Sequence, residues 1–107
     1  MSFPTGSFRR SRGLRLRPLP EREVCFVYVP KRPNLYTLNA TAWMILELCR
    51  GQPLKELQAE FYDNIEPLMS RQEAADYVLA CLGDFVQKLI VEVVPATKLK
   101  TMGRRGS

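Results

Sequence analysis

The segment Leu38-Asn39-Ala40-Thr41-Ala42-Trp43-Met44-Ile45-Leu46-Glu47-Leu48-Cys49-Arg50-Gly51 constrains the fold of this chain more than any other. It predicts a short strand running into a capped helix over about 40–50, closed by a glycine. The Asn39 side chain can accept a hydrogen bond from the first-turn amides. Ala42, Ile45, Leu46 and Cys49 recur at i, i+3, i+4 and i+7, which gives the helix one apolar face. Gly51 suits the left-handed residue that ends many helices. Trp43 and Met44 point away from that face; packing under a sheet is favoured over a patch for a partner.

At 107 residues the chain predicts one small domain with a single core. Apolar residues make up 46% of it, yet no window approaches the ~20 apolar residues of a membrane helix. The longest apolar run, Val24-Cys25-Phe26-Val27-Tyr28-Val29, has the length of a strand. Arg9, Arg10 and Arg12 follow a polar opening with no apolar signal core, so a cytoplasmic location is the default expectation.

The net charge of +5 is unevenly spread. Residues 1–17 hold five arginines and no acid, and residues 98–107 hold four bases and no acid. The stretch between them holds seven bases and eleven acids, so the folding part is acidic. Basic ends can touch nucleic acid or acidic surfaces; ordinary solvated termini are the favoured reading.

Strand-like segments are expected at Leu14–Arg17, Glu23–Val29 and Leu35–Leu38, the last two joined by Pro30-Lys31-Arg32-Pro33-Asn34. A second helix begins at Pro53, with Leu54, Leu57 and Phe61 on one side. A loop over Asp63–Met69 leads to a third helix, opened by the capping box Ser70-Arg71-Gln72-Glu73 and running to about Lys88. Ile90–Val94 suggests a closing strand or wing. The expected organisation is thus a disordered basic arm (1–13), a folded domain (14–94) and a flexible basic tail (95–107).

Catalytic chemistry is sparse. The chain has no histidine, which excludes Ser–His and Cys–His dyads. Cys25, Cys49 and Cys81 are far apart in apolar sequence and read as core thiols rather than metal ligands. Ser70 is already explained by capping, and the six glycines form no phosphate loop. Neither enzyme activity nor a cofactor is expected. The third helix carries an apolar arc of about 200°, wider than the ~100° that packing on one face requires. Either the helix is central, or one flank lines a groove filled by a partner.

Three strands, then Leu38-Asn39-x-Thr41-Ala42-x-x-Ile45-Leu46-x-Leu48-Cys49-x-Gly51, then Leu54-x-x-Leu57 and a long last helix, resemble the coenzyme PQQ synthesis protein D (PqqD) family. That family includes the precursor-peptide recognition elements of ribosomal peptide natural-product pathways. The likeness spans about residues 14–92. Two departures are Arg50, where an acid is expected, and the basic tail. The resemblance implies an α+β fold, a winged helix-turn-helix carrying an N-terminal three-stranded antiparallel sheet followed by three helices. It further implies a peptide chaperone. The leader of a precursor peptide adds as a strand beside the third strand, packs on the last helix, and is presented to a modifying enzyme, often a radical S-adenosylmethionine enzyme.

The residues support a peptide site on their own terms. Leu35, Tyr36, Thr37 and Leu38 include no Lys, Glu or Pro, so this strand lacks the usual protection of an exposed edge. Such an edge is either covered or used for strand addition, and it can also pair with its own copy to give a homodimer. Tyr77, Val78, Cys81, Leu82 and Phe85 on the last helix are the expected selectivity pockets. Winged helices also read DNA, but here the last helix holds Arg71 and Lys88 against Glu73, Asp76 and Asp84. Phosphate binding needs clustered cations, which disfavours nucleic acid; a membrane partner is not expected.

Overall fold

The computed structural model describes residues 6–95. In chain order the strands are β1 (Gly6–Arg10), β2 (Arg15–Leu19), β3 (Val24–Val29) and β4 (Asn34–Asn39). Then come helix α1 (Ala40–Leu48), β5 (Arg50–Pro53), α2 (Leu54–Ile65), α3 (Arg71–Gln87) and β6 (Val91–Pro95). The architecture is α+β, with two three-stranded sheets and three α-helices.

The expected sheet is present as the antiparallel order β2-β3-β4. The second sheet, of order β5-β1-β6, corrects the sequence reading. Its central strand lies within residues expected to form a disordered arm. One side chain explains this: Phe8 is fully buried in the core, and burying a Phe contributes about 2–3 kcal/mol. The arginines around it are held as well. Arg9 pairs with Glu92 at 3.2 Å and Arg10 with Glu47 at 3.7 Å. Residues 1–5 and, apart from Pro95, the expected tail lie outside the described residues.

Gly51 has a different role from the one expected. Helix α1 ends at Cys49 in an extended conformation, and Gly51 sits within β5 at φ +104°. The β1–β5 register runs Phe8↔Gln52, then Arg9↔Arg50, so Gly51 is the extra residue of a bulge. A positive φ at such a position favours glycine. Arg50 reaches Glu60 of α2 at 3.1 Å and the Glu47 carbonyl at 3.4 Å. That ties β5 to two helices, a role in which an acid would fail.

The helix caps follow the sequence. Asn39 Oδ1 accepts from the Ala42 amide at 2.8 Å. Ser70 Oγ accepts from the Glu73 amide at 3.1 Å, while Glu73 Oε1 accepts from the Ser70 amide at 2.9 Å. Helix α2 starts one residue later than expected, with Pro53 as its N-cap. At its far end α3 closes with Leu89 at φ +62°, Ile90 N–H donating to Phe85 O and Leu89 N–H to Val86 O. This is the Schellman pattern, with leucine where glycine is usual. Helices α2 and α3 are joined by the Phe61–Tyr77 stack, ring centroids 5.8 Å apart. Gln58 also donates to the Ala75 carbonyl at 3.1 Å. Trp43 and Met44 pack against the core, the favoured sequence reading.

The two sheets are fastened by one carboxylate. Glu92 of β6 accepts from the Arg9 guanidinium, from the Arg12 amide at 3.3 Å and from Lys31 at 3.5 Å. Lys31 lies in the β3–β4 connection, so the bond spans from one sheet to the other. Burial pushes the Glu92 carboxyl up, but the Arg12 amide, Arg9 and Lys31 together bring it below the ordinary carboxylate value.

Candidate functional site

Strand β4 is the centre of the site because it lies at a sheet margin. Its strand partner is β3, in the register Cys25↔Leu38, Phe26↔Thr37, Val27↔Tyr36 and Tyr28↔Leu35. Alternate residues of such a strand turn their N–H and C=O groups away from the neighbour. Among the described residues no strand occupies that outer side. The other three margins are β2, β5 and β6, and each contains a proline: Pro18, Pro53 and Pro95. Proline cannot donate to a ladder and is a common guard of edges. Strand β4 has none.

Burial along β4 alternates as a one-sided strand requires. Leu38 is buried and Tyr36 half-buried toward the helices, whereas Leu35 (61% exposed) and Thr37 face outward. The link from β4 to α3 is Lys88, whose Nζ lies 4.9 Å from the centroid of the Tyr36 ring. Asp84 holds the same ammonium group at 3.0 Å.

The structure divides the helix residues predicted for the site. Val78, Leu82 and Phe85 are fully buried, with Ala74 completing one stripe of α3. They cannot touch a ligand from inside the core; their role is to seat the helix. Leu38 belongs with them, its side chain being 5% exposed. Tyr77 and Cys81 are half-buried at the side of that stripe. Lys88, Asp84, Cys81 and Tyr77 recur at steps of four, three and four, so they share one flank of α3. The sequence reading did not include Lys88 and Asp84, although their spacing from Cys81 is visible in the sequence. The apolar arc of α3 is therefore wider than its buried stripe, and Leu79, on another flank, is 41% exposed.

Burial pushes the thiols of Cys49 and Cys81 up to about 12, and each is further raised by a neighbour, Cys81 and Asp84 respectively. Burial also raises Cys25. All three are neutral at physiological pH and act as apolar side chains. Among the described residues no three His, Cys, Asp or Glu side chains converge as metal ligands. No helix among them is long and apolar enough to cross a membrane.

No family model and no curated protein matches the chain. The solved structures include a similar one, the solution structure of the PqqD truncation of Methylobacterium extorquens PqqCD. It represents a functional, stand-alone recognition element for ribosomally synthesized and post-translationally modified peptides. The two superpose with a TM-score of 0.63 at 22% identity, over 85% of this chain and 96% of the other. By architecture, this chain has the PqqD fold.

Proposed function

We propose that the protein is a non-catalytic recognition module for a ribosomally made precursor peptide. The leader of that peptide adds as a fourth strand beside β4 and is presented to a modifying enzyme in the cytoplasm. The observation that carries this reading is the outer side of β4, the one proline-free margin of either sheet. Backbone groups of residues 35–38 give affinity without reading sequence. Tyr77, Cys81 and the Tyr36 ring supply the apolar surface that selects leader side chains. The helices and their flanking sheet are read as the winged helix-turn-helix of that family.

Magnitudes agree with such a role. About four backbone hydrogen bonds at ~1 kcal/mol each and two apolar anchors at ~2 kcal/mol each give roughly 8 kcal/mol. Ordering a disordered leader removes about 2–5 of these, which leaves about 3–6 kcal/mol, or binding between tens of micromolar and millimolar. A catalytic role has no support in the residues, since neutral buried thiols are poor nucleophiles. Nucleic acid is disfavoured as well: Lys88 is paired with Asp84, and Arg71 lies over the Tyr62 ring at 4.5 Å. Calorimetric titration of the full chain with synthetic leaders of precursor peptides encoded beside it tests the proposal. Binding by one leader at tens of micromolar or weaker, with new β-strand amide protection along β4, is the expected result. Binding with no change at β4 rejects the strand-addition mechanism.

A further inference from the structure

The outward face of the β2-β3-β4 sheet has a composition that packing does not explain. The registers Arg15↔Tyr28↔Leu35 and Arg17↔Phe26↔Thr37 make two rows across the three strands. Each row runs from an arginine through an aromatic ring to a residue of β4. Leu35 is 61% and Tyr28 38% exposed, and both arginines are exposed. No described element covers this face. Its third row, Leu19↔Val24↔Asn39, holds no charge. Glu21 and Glu23 lie beyond that row, in the connection between β2 and β3. The guanidinium groups of Arg15 and Arg17 have no carboxylate partner among the described residues, unlike those of Arg9, Arg10 and Arg50.

We infer that this face docks a protein surface with an apolar centre bordered by carboxylates. Charge complementarity selects the occupant. The described residues hold twelve bases and eleven acids in near balance, yet this face presents two unpaired cations around two rings and no acid. Aromatic rings beside arginine are the composition of interface anchors. A second copy offers acids on its helices, but that contact is head-to-tail and does not close into a dimer. Single-stranded nucleic acid would use the same rings and cations; the apolar Leu35, 61% exposed beside them, favours protein. Resting on the function proposed above, the partner is the modifying enzyme, which would meet the guest strand and this face together.

The test titrates the isotope-labelled full chain with a synthetic peptide of alternating Glu and Leu, followed by amide shifts. The expected shifts centre on Arg15, Arg17, Phe26, Tyr28 and Leu35, and the double variant Arg15→Glu/Arg17→Glu weakens them about tenfold, two charge-assisted contacts being lost. Unchanged amide shifts elsewhere in that variant, and unchanged leader binding at β4, show that its fold and the peptide site are intact. A Lys/Leu peptide should not bind. Equal binding of that peptide, preference for a single-stranded oligonucleotide, shifts confined to other surfaces, or self-association of the unliganded chain at the same concentration would each overturn the inference. Loss of leader binding in the wild-type chain alone would instead strike the proposed function and leave the docking face standing.

Discussion

The ammonium group of Lys88 lies over the ring of Tyr36, 4.9 Å from its centroid, and so fastens the end of α3 to the margin strand β4. Helix and strand must hold a fixed separation if a guest strand is to lie on one and touch the other. A cation–π contact at a half-exposed site contributes about 0.5–1 kcal/mol. Lys88→Ala should lower stability by about that amount and weaken leader binding roughly fivefold, whereas Lys88→Arg should retain most of both. Thermal unfolding and calorimetric titration read the two effects separately.

Adjacent proline substitutions distinguish the two sides of β4. Because N–H groups alternate between β3 and the open side, Tyr36→Pro and Thr37→Pro must differ. One removes a ladder bond and should destabilise by about 3 kcal/mol. The other removes an outward donor, should stay folded, and should lose leader binding at least tenfold. If the folded variant still binds at wild-type affinity, the guest does not pair with β4.

Phe8 offers a direct measure of how far the N-terminal segment belongs to the fold. Phe8→Ala should destabilise by about 3–5 kcal/mol, and removal of residues 1–13 should abolish cooperative unfolding. A truncated chain that melts like the full one would show that β1 is dispensable.

The carboxylate of Glu92 makes stability depend on pH. Its folded value is lowered, so its contribution is complete above the ordinary carboxylate range and is lost as pH falls through the folded value. Glu92→Gln should remove about 1 kcal/mol near neutrality and flatten the loss of stability as pH falls through and below the ordinary carboxylate range. Chemical denaturation across that range reads both.

Gly51 isolates backbone strain from packing. A Cβ there would meet nothing within 4 Å, yet φ is +104°. Gly51→Ala should therefore destabilise by about 1–2 kcal/mol through the backbone alone. A variant as stable as wild type would mean that the bulge relaxes.

What the sequence made legible was local. Asn39 and Ser70 announce their helices because each cap is a bond to an amide three residues ahead. The β3–β4 hairpin follows from alternation and a proline-bounded turn. Of the second sheet only β6 was legible, as the closing strand expected at Ile90–Val94; its partners were not, because Phe8 lies opposite Gln52 and Val93, far along the chain. Strand β5, Arg50-Gly51-Gln52-Pro53, has no apolar alternation to betray it. The unguarded margin of β4 was legible through what that strand lacks. The exposed flank of α3 was half legible, since periodicity defines a broad apolar arc but not which of its edges meets the core. Val78 and Tyr77 are neighbours in sequence, and only the first is fully buried.

The pairing of Gly6 with Pro95 brings the first and last of the described residues to within about 5 Å of each other. A unit whose two ends meet can be spliced into a host protein, or joined to one at either terminus, without stretching its frame. The same closure means that a circular permutant, joined there by a brief linker and reopened at the Pro30–Pro33 turn, keeps every ladder of both sheets.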